Sequence, residues 1–446
     1  MELYDPRYCA DLGDGFMVKW ATPEEITAYG ALCDVVFRKS EDQPLRTLNA
    51  QAIAEWTCTH PLSSAADVAI VVNAADEVVA GSILLRQSMD YAGIQLSVGR
   101  PELVVCAAEH RRRGFIRQIF ALLHAKSQAR GDHLQAITGI PSYYRQFGYS
   151  YAIDFDQQTL IRFDAIPPIR DESEAVTLRK ARPDEYGTFV SIYDADRLGR
   201  GLLATTPIEK SFYTHQTTAG EMVFAWEPLM IENRSGEVVG YALASRSNYE
   251  HAVGVLGLGI RSDQSWHRLA IPILHACMAH QTHILYPNPS ITAVTEVNFV
   301  LDQEHPMYAQ LRHGFATRHV QTYAWYIRVP DYQRLFTEMT PILEARLRRS
   351  NMRGHSGELV VSCYGNGFTM VWQDGQIVAT RNTRPPLMGE GAHVCLPADT
   401  LLMLVFGRKS FAQIKQWHHE AWATHDAEQL LGILFPTQPS WFLWLN

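Results

Sequence analysis

One stretch of this 446-residue chain, Glu102–Tyr149, constrains its fold more than any other. It begins with an apolar, β-branched segment, Leu103–Ala108, which predicts a buried strand. An arginine-rich turn, His110–Gly114, follows, and the amphipathic pattern of Phe115–Arg130 predicts a helix. A strand that enters a helix through a glycine-bearing turn leaves backbone N–H groups unpaired at the helix N-terminus. Together with the positive end of the helix macrodipole, those donors favour a bound phosphate.

The charge of this turn supports the same interpretation. Three consecutive arginines, Arg111 to Arg113, stand where the helix begins. A solvated basic helix start without a ligand is the alternative. However, cations at a helix N-terminus oppose the macrodipole, so three of them are more easily explained by a bound anion. The sequence therefore predicts that the turn holds the pyrophosphate of a nucleotide-containing cofactor.

An aromatic run, Tyr143-Tyr-Arg-Gln-Phe-Gly-Tyr149, follows a second apolar segment. For Tyr143, Phe147 and Tyr149 a packed aromatic cluster is the favoured interpretation. A tyrosine near the cofactor end of the sheet is also able to protonate a leaving thiolate, because a phenol has a pKa of about 10. Spacing alone does not decide which tyrosine this would be.

Composition bounds the class of protein. The chain is 47% apolar and 19% charged, as in an ordinary globular protein, and its length suits two to four domains. Its net charge of −8 weighs against a nucleic-acid or anionic-membrane partner, since either needs a basic surface. The N-terminus has neither a basic n-region nor an apolar h-region, so a cytoplasmic location is expected.

Other catalytic or metal-binding patterns are weak. The seven cysteines are scattered and never spaced Cys-x-x-Cys, and Cys106 has the apolar neighbours of a buried, inert thiol. His275, His280 and His283 form no His-Glu-x-x-His motif, so surface or core histidines are favoured over a metal site. No serine-hydrolase elbow or Walker-type loop is present.

The order of predicted elements repeats, which indicates a duplicated fold. Lys19 precedes the helix-opening motif Pro23-Glu-Glu by the same offset that separates Arg179 from Pro183-Asp-Glu. The copies differ at the arginine-rich turn, because the second has only Arg261-Ser-Asp-Gln there. One copy is therefore expected to keep the anion site.

Two changes of pattern predict the domain boundaries. A polar segment with two adjacent prolines covers residues 156–176, and helical spacing begins anew at Tyr332. The predicted domains are residues 1–160, 161–330 and 331–446.

Three further segments give specific expectations. Ile94–Val98 and Leu103–Ala108 are predicted as successive strands of the first sheet, and Ile291–Val294 as a strand of the second. The tail Ser440–Asn446 contains two tryptophans, although chain ends are normally polar and frayed. We therefore expect the tail to be packed against the rest of the protein.

Val104–Ile116 and Tyr144–Tyr149 resemble the GNAT-family N-acetyltransferases, whose acyl-CoA loop has the pattern Gln/Arg-x-x-Gly-x-Gly/Ala. Arg111-Arg-Arg-Gly114 fits it, with Ile116 in the last small position. With its second copy and third domain, the whole chain resembles the enhanced-intracellular-survival (Eis) family. That resemblance implies an α+β, mixed α/β fold: two tandem GNAT-like domains with mixed central sheets, then a sterol-carrier-protein-like α+β domain.

The resemblance also assigns roles to residues. Val104–Cys106 would pair with the pantetheine arm of acyl-CoA as an extra strand does, Arg112–Arg117 would wrap the pyrophosphate, and Gly139 and Ile140 would flank the cofactor on the next strand. The cofactor-binding residues so implied are Val104, Val105, Cys106, Arg111, Arg112, Arg113, Gly114, Phe115, Ile116, Arg117, Gly139 and Ile140.

Two catalytic residues follow from the resemblance as well. Tyr144, three residues before Phe147, matches the family's general acid. The family also uses its C-terminal carboxylate in the active site, which here would belong to Asn446, where the family usually has phenylalanine.

The function that the resemblance implies is acetyl-CoA-dependent N-acetyl transfer, without a metal, to a primary amine. The acceptor would be a small aminoglycoside-like or polyamine-like molecule or a lysine side chain, and the assembly a homohexamer. One alternative is transfer of longer acyl chains. Another is a lipid- or ligand-binding protein whose acetyltransferase domain is silent.

Overall fold

The computed structural model describes residues 1–37, 60–155, 157–218, 226–248, 250–286, 291–311, 317–320, 323–384 and 390–443. The strands within these ranges are β1 Cys9–Gly13, β2 Phe16–Trp20, β3 Val68–Val72, β4 Val78–Tyr91, β5 Ile94–Cys106, β6 Leu134–Ile137, β7 Ser150–Asp154, β8 Gln157–Arg162, β9 Val176–Lys180, β10 Ala204–Thr205, β11 Trp226–Asn233, β12 Val238–Ser245, β13 Ala252–Ile260, β14 Glu296–Leu301, β15 Thr317–Val320, β16 Ala324–Arg328, β17 Gly357–Ser362, β18 Gly367–Gln373, β19 Gln376–Asn382, β20 Val394–Cys395 and β21 Trp422–Ala423.

The helices lie between these strands. They are α1 Ile26–Phe37, α2 Phe115–Ala129, α3 Tyr186–Gly199, α4 Lys210–Thr218, α5 Trp266–Ala279, α6 Pro306–Leu311, α7 Tyr332–Arg348, α8 Ala398–Val405, α9 Phe411–Trp417 and α10 His425–Leu434. None of the helices in the described ranges is long and apolar enough to span a membrane.

The first sheet is mixed and has the order β1-β2-β3-β4-β5-β6-β16-β7, with β10 paired to the far end of β4. β5 and β6 run parallel, which requires a crossover, and α2 provides it. The two strands predicted at Ile94–Val98 and Leu103–Ala108 are one continuous strand, β5. The break that the sequence suggested at Leu103 is a β-bulge, not a strand end.

The second sheet is also mixed, in the order β15-β8-β14-β13-β12-β11-β9. Its parallel pair, β13 and β14, is joined through α5, as β5 and β6 are joined through α2. The strand predicted at Ile291–Val294 is wrong, because β14 begins only at Glu296. The alternation Glu296-Val-Asn-Phe299 marks the strand that the structure has, and the predicted segment lies directly before it.

The helix starts confirm the duplication. Lys19 Nζ lies 2.6 Å from Glu25 Oε1, and Arg179 Nη2 lies 2.7 Å from Glu185 Oε1. In both copies the same carboxylate also accepts the backbone N–H three residues earlier, at 2.9 Å in the first copy and 2.8 Å in the second. The repeated offset in the sequence thus corresponds to a repeated ion pair.

The two sheets exchange one strand each. β16 lies between β6 and β7 of the first sheet and forms antiparallel ladders with both. β8 lies between β14 and β15 of the second sheet, at the corresponding position. Each sheet is therefore completed by a strand from the other half of the chain.

This exchange crosses the boundaries predicted at residues 160 and 330. β8 begins before the first boundary but belongs to the second sheet, and β16 ends before the second boundary but belongs to the first sheet. The division into domains 1–160, 161–330 and 331–446 stays a prediction.

The third sheet, β19-β18-β17-β20-β21, shares one hydrophobic core with the first sheet. Side chains of β16 alternate between the two faces of the first sheet. Trp325 and Ile327 belong to the core shared with the third sheet, whereas Tyr326 belongs to a separate cluster on the side of α2.

The apolar tail is packed, as predicted. Trp441, Phe442 and Leu443 are 5%, 0% and 1% exposed. The tail runs beside β10, where the Trp441 N–H donates to the Ala204 carbonyl at 2.8 Å. The Phe442 ring packs edge-on against Trp325, with centroids 4.9 Å apart.

Replacing Phe442 with alanine should lower the free energy of unfolding by about 3–5 kcal/mol, because it leaves a cavity in this core. Trp417→Ala is the control, since Trp417 is 82% exposed and its loss should cost less than about 0.5 kcal/mol. Urea midpoints of the two variants measure the difference. Equal midpoints would contradict the packing of the tail.

Candidate acyl-CoA cleft

A wedge opens between β5 and β6 of the first sheet. Their parallel pairing is limited to Val98 with Leu134 and Gly99 with Gln135, although β5 continues to Cys106. Beyond Gly99, the edge of β5 that would pair with β6 faces a cleft. Such an edge offers backbone donors and acceptors to an extended ligand.

The bulge in β5 bends the strand at this point. Leu103 has a φ of +50°, a left-handed conformation that is costly for a leucine. Hydrogen bonds fix it: the Tyr29 hydroxyl donates to the Leu103 carbonyl at 2.8 Å, and the Ser82 hydroxyl donates to the Glu102 carbonyl at 2.9 Å. Tyr29 can lie this close only because residue 81 is glycine, since a Cβ there would stand 2.7 Å from the ring.

The arginine-rich turn lies at the mouth of this wedge. Gly114, just before α2, has a φ of +83°, and Arg112 has a φ of +66°. These two left-handed residues turn the chain sharply into the helix. In the described part of the chain, the N–H groups of residues 112–116 have no backbone acceptor. They are the unpaired helix-start donors that the sequence predicts.

The arginine side chains add positive charge to these donors. Arg111, Arg112 and Arg117 are exposed, and none of them forms an ion pair with a described acidic residue. Arg113 differs, because its Nη1 lies 3.9 Å from Asp14. The turn is therefore electropositive and suited to an anion.

The wedge and the turn enclose one cleft of about 620 Å³. Ten of the twelve predicted cofactor-binding residues line it: Val104, Val105, Cys106, Arg111, Arg112, Gly114, Phe115, Ile116, Arg117 and Ile140.

The other two, Arg113 and Gly139, do not line the cleft. Gly139 and Ile140 also do not lie on the next strand as expected, because β6 ends at Ile137 and both residues belong to the turn beyond it. The lining residues that were not predicted to bind the cofactor are Val36, His110, Tyr143, Gln146 and Phe147. Val36 had no local signal, since α1 is brought here by the fold.

The predicted general acid, Tyr144, is 4% exposed and is not among the side chains that line the cleft. Its hydroxyl lies beside Gly139, 3.8 Å from where a Cβ of that residue would stand. It belongs to a buried cluster, and this packing raises its pKa well above that of a free tyrosine; Glu102 and neighbouring tyrosines add to the shift. The cluster consists of Phe120, Ile137, Tyr144, Tyr149 and Tyr326.

Glu102 is an acidic side chain of β5 whose charge adds to the effect of burial on the pKa of Tyr144. It is ion-paired to Arg100, which is 2% exposed. The Arg100 guanidinium also donates to the Leu443 carbonyl at 3.1 Å. The tail thus reaches the base of the wedge.

Asn446, the second predicted catalytic residue, lies outside the described residues, so its role stays a prediction. In the described ranges, no group of three histidine, cysteine, aspartate or glutamate side chains is arranged to hold a metal ion.

The matching wedge of the second sheet is closed. The cavity between β13 and β14 measures about 10 Å³. The side chains that line it include His305 and Arg200, and the Arg200 Nη1 lies 2.6 Å from Asp302 Oδ2. The Arg261 guanidinium of this copy is ion-paired with Glu237 and Asp263. Among the described residues, the wedge of this copy has less space than that of the first, and Arg200 and Arg261 are both ion-paired.

Replacing Gly114 with alanine should weaken coenzyme A binding about tenfold. An alanine in the left-handed region costs about 1–2 kcal/mol, so the turn would relax and redirect its N–H groups. Gly93→Ala is the matched control, because Gly93 has a φ of +96° and open space like Gly114 but lies at the other end of β5. Calorimetric titration with coenzyme A measures both. Equal affinities would contradict this role of the turn.

Comparisons with known proteins agree with this geometry. Residues 17–152 match the model of a family described as acetyltransferase (GNAT) domain. Among curated proteins, none matches the chain in sequence.

Three solved structures share the fold over nearly the whole chain. A GCN5-related N-acetyltransferase from Anabaena variabilis is 13% identical, with 96% of this chain and 99% of that chain covered and a TM-score of 0.66. One from Kribbella flavida is 15% identical, with 97% and 99% covered and a TM-score of 0.66. Eis1 from Mycobacterium abscessus is 13% identical, with 96% and 99% covered and a TM-score of 0.59. Identities this low show likeness of fold alone.

The predicted resemblance, the mixed α/β fold with tandem GNAT-like domains and the assignment as an enzyme are thereby confirmed. Residues 17–152 of this chain form a GNAT acetyltransferase domain, and the protein is a transferase enzyme.

Proposed function

We propose that this enzyme transfers the acetyl group of acetyl-CoA to a primary amine by direct attack, without a covalent enzyme intermediate. The observation that carries the proposal is the single cleft that joins the free edge of β5 to the arginine-rich turn. Acetyl-CoA is an extended chain with a pyrophosphate, and the cleft offers an extended backbone edge that ends at an anion site.

Different residues of the cleft would bind different parts of the cofactor. Val104, Val105 and Cys106 would pair through their backbone with the amide groups of the pantetheine arm. The free N–H groups of residues 112–116 and the side chains of Arg111, Arg112 and Arg117 would hold the pyrophosphate.

The chemistry needs an acid for the departing thiolate. The neutral amine attacks the thioester carbonyl, a C–N bond forms, and the C–S bond breaks. Tyr144 donates its proton to the thiolate, and the amine loses one proton. Because burial raises the pKa of Tyr144, the residue stays protonated at neutral and mildly alkaline pH.

The proton lost by the amine needs an acceptor. Glu102 is suited to this, because Arg100 holds its side chain and the residue directly precedes the bulge that leads into the cleft-lining end of β5. In the described residues, only one of its two carboxylate oxygens has a hydrogen-bond partner. A carboxylate at this position would attract a cationic acceptor. This supports a polyamine-like or aminoglycoside-like molecule or a lysine side chain as the acceptor.

The acyl group is proposed to be short. The buried cluster around Tyr144 and Phe120 fills the space between α2 and the strands beyond β5. A long chain would have to displace these close-packed rings, which costs several kcal/mol. The lipid-binding alternative is less favoured, because a silent first copy would be expected to have a closed wedge like that of the second.

Tyr144→Phe should lower turnover by about 10²–10⁴-fold with little change in acetyl-CoA affinity, since it removes only the donated proton. Tyr143→Phe is the matched control: Tyr143 is adjacent and lines the cleft, but is not the proposed acid. Steady-state thiol release measures both. Wild-type turnover in Tyr144→Phe would contradict the assignment of Tyr144 as the general acid. A loss of turnover confined to Tyr143→Phe would assign that role to Tyr143.

The function as a whole is tested with the wild-type enzyme. Thiol release is measured over a panel of polyamines, aminoglycosides and lysine peptides, first with acetyl-CoA and then with decanoyl-CoA. We expect release with at least one amine, and acetyl-CoA should be preferred by about tenfold or more, corresponding to at least ~1.4 kcal/mol of discrimination. Release only with decanoyl-CoA would favour the long-chain alternative. Neither release nor coenzyme A binding would favour the ligand-binding alternative.

The cytoplasmic location, the homohexameric assembly and the sterol-carrier-protein-like third domain stay predictions.

A further inference from the structure

The segment between β6 and β7 carries the proposed acid and is held by residues far away in sequence. It contains Ile140 and Tyr143, which line the cleft, and Tyr144. Ser142 has a φ of +64°, a left-handed conformation that a serine rarely adopts unless neighbouring groups fix it. The groups that fix Ser142 therefore also fix the segment that carries Tyr144.

Three tyrosine hydroxyls meet beside this segment. The Tyr151 oxygen lies 2.7 Å from the Tyr326 hydroxyl and 3.0 Å from the Tyr323 hydroxyl. It also accepts the Ser142 N–H at 3.1 Å. Of these tyrosines, Tyr326 comes from β16 and Tyr323 directly precedes that strand, so both belong to the second half of the chain.

The hydrogen bonds can all be satisfied together. A tyrosine oxygen accepts two hydrogen bonds and donates one. Tyr151 therefore accepts from Ser142 and Tyr326 and donates to Tyr323. The Tyr326 oxygen also lies 3.4 Å from the Ile140 carbonyl, a weaker alternative for its single proton.

Ring contacts reinforce the arrangement. The rings of Tyr151 and Tyr326 are stacked with centroids 4.1 Å apart, and Tyr326 packs edge-on against Tyr144 at 5.6 Å. The Arg145 guanidinium lies 5.3 Å above the Tyr151 ring, and its Nη1 lies 3.8 Å from Asp399 of α8. The segment is thus held by Tyr326 from the second half of the chain and by Asp399 of α8.

We propose that Tyr151 and Tyr326 are positioning residues of the acyl-transfer site, which hold the segment at 139–147 so that Tyr144 keeps its buried position beside Gly139. The inference rests on the proposed role of Tyr144. It gives the second half of the chain a task in catalysis: its own wedge is closed, but its exchanged strand supports the acid of the first copy.

A pH dependence follows from this role. The titratable groups whose charges act on Tyr144 are Glu102 from β5, Tyr143 from its own segment and Tyr326 from β16; the ring of Tyr149, directly before β7, packs edge-on against it. Burial is the largest cause of its raised pKa. A general acid must be protonated, and its raised pKa keeps wild-type Tyr144 protonated across the pH range of an assay. A loosened segment would expose Tyr144 and lower its pKa, so an alkaline limb of kcat would move down into that range in the variants.

The test compares Tyr151→Phe and Tyr326→Phe with the wild-type enzyme. Each should lower kcat by about 10–100-fold, leave acetyl-CoA affinity nearly unchanged, and move the alkaline limb of kcat to lower pH, because small misplacements of a catalytic group have large effects. The double variant should be no worse than Tyr151→Phe, since both remove one network. Amide exchange of residues 140–148 should be faster in Tyr151→Phe.

Tyr186→Phe is the matched control, since the Tyr186 hydroxyl donates to the Ile208 carbonyl at 2.9 Å in the second copy, away from the cleft. An equal loss of kcat in that control, or an unshifted alkaline limb in both site variants, would overturn the proposal. The result that would overturn the positioning role differs from the result that would overturn the acetyltransferase function. If the wild-type enzyme releases no thiol with any amine, the function fails, whereas unchanged amide exchange in Tyr151→Phe overturns the positioning role independently of activity.

Discussion

The backbone ladder that β16 forms with β6 and β7 is the constraint on which the rest of the structure depends. Because neighbouring residues of a strand point to opposite faces, Trp325 and Ile327 lie in the core shared with the third sheet, whereas Tyr326 lies in the buried cluster that contains Tyr144. The reciprocal insertion of β8 completes the second sheet. Each part of the protein therefore stabilises another, and the first copy has its full sheet only when the chain has been completed through residue 328.

The same duplicated architecture gives one open site and one closed site. In the first copy, β5 and β6 stop pairing after Gly99, and the bulged end of β5 borders a cleft of about 620 Å³. In the second, an ion pair between Arg200 and Asp302 fills the equivalent space. A buried pair of this kind is costly to separate, so the second wedge is unsuited to opening for a ligand.

The local chemistry of the site was predictable because it depends on neighbours in sequence. The strand, the arginine-rich turn and α2 lie within one stretch, and α2 begins at Phe115 as predicted and ends one residue before the predicted limit. The turn needs a left-handed residue, and Gly114 supplied that signal. Ten cofactor-binding residues inferred from the resemblance meet in one cleft for the same reason. The exchange of β8 and β16 had no such signal, since a strand's pattern indicates a buried position but not the sheet in which it lies.

The sequence alone thus determined a strand–turn–helix unit with an arginine-rich turn, its duplication with a second copy that lacks this turn, and a tail that had to be buried. These follow from periodicity, turn chemistry and apolar content, which are local properties of the chain. Only the tertiary structure decided which distant residues meet here: Val36 at the cleft, and Tyr326 from the other half of the chain against Tyr144. Such neighbours are set by strand pairing and packing between segments up to hundreds of residues apart. The arginine-rich turn defines where the cofactor's pyrophosphate is proposed to bind, and the exchanged strand defines what stands beside the proposed acid.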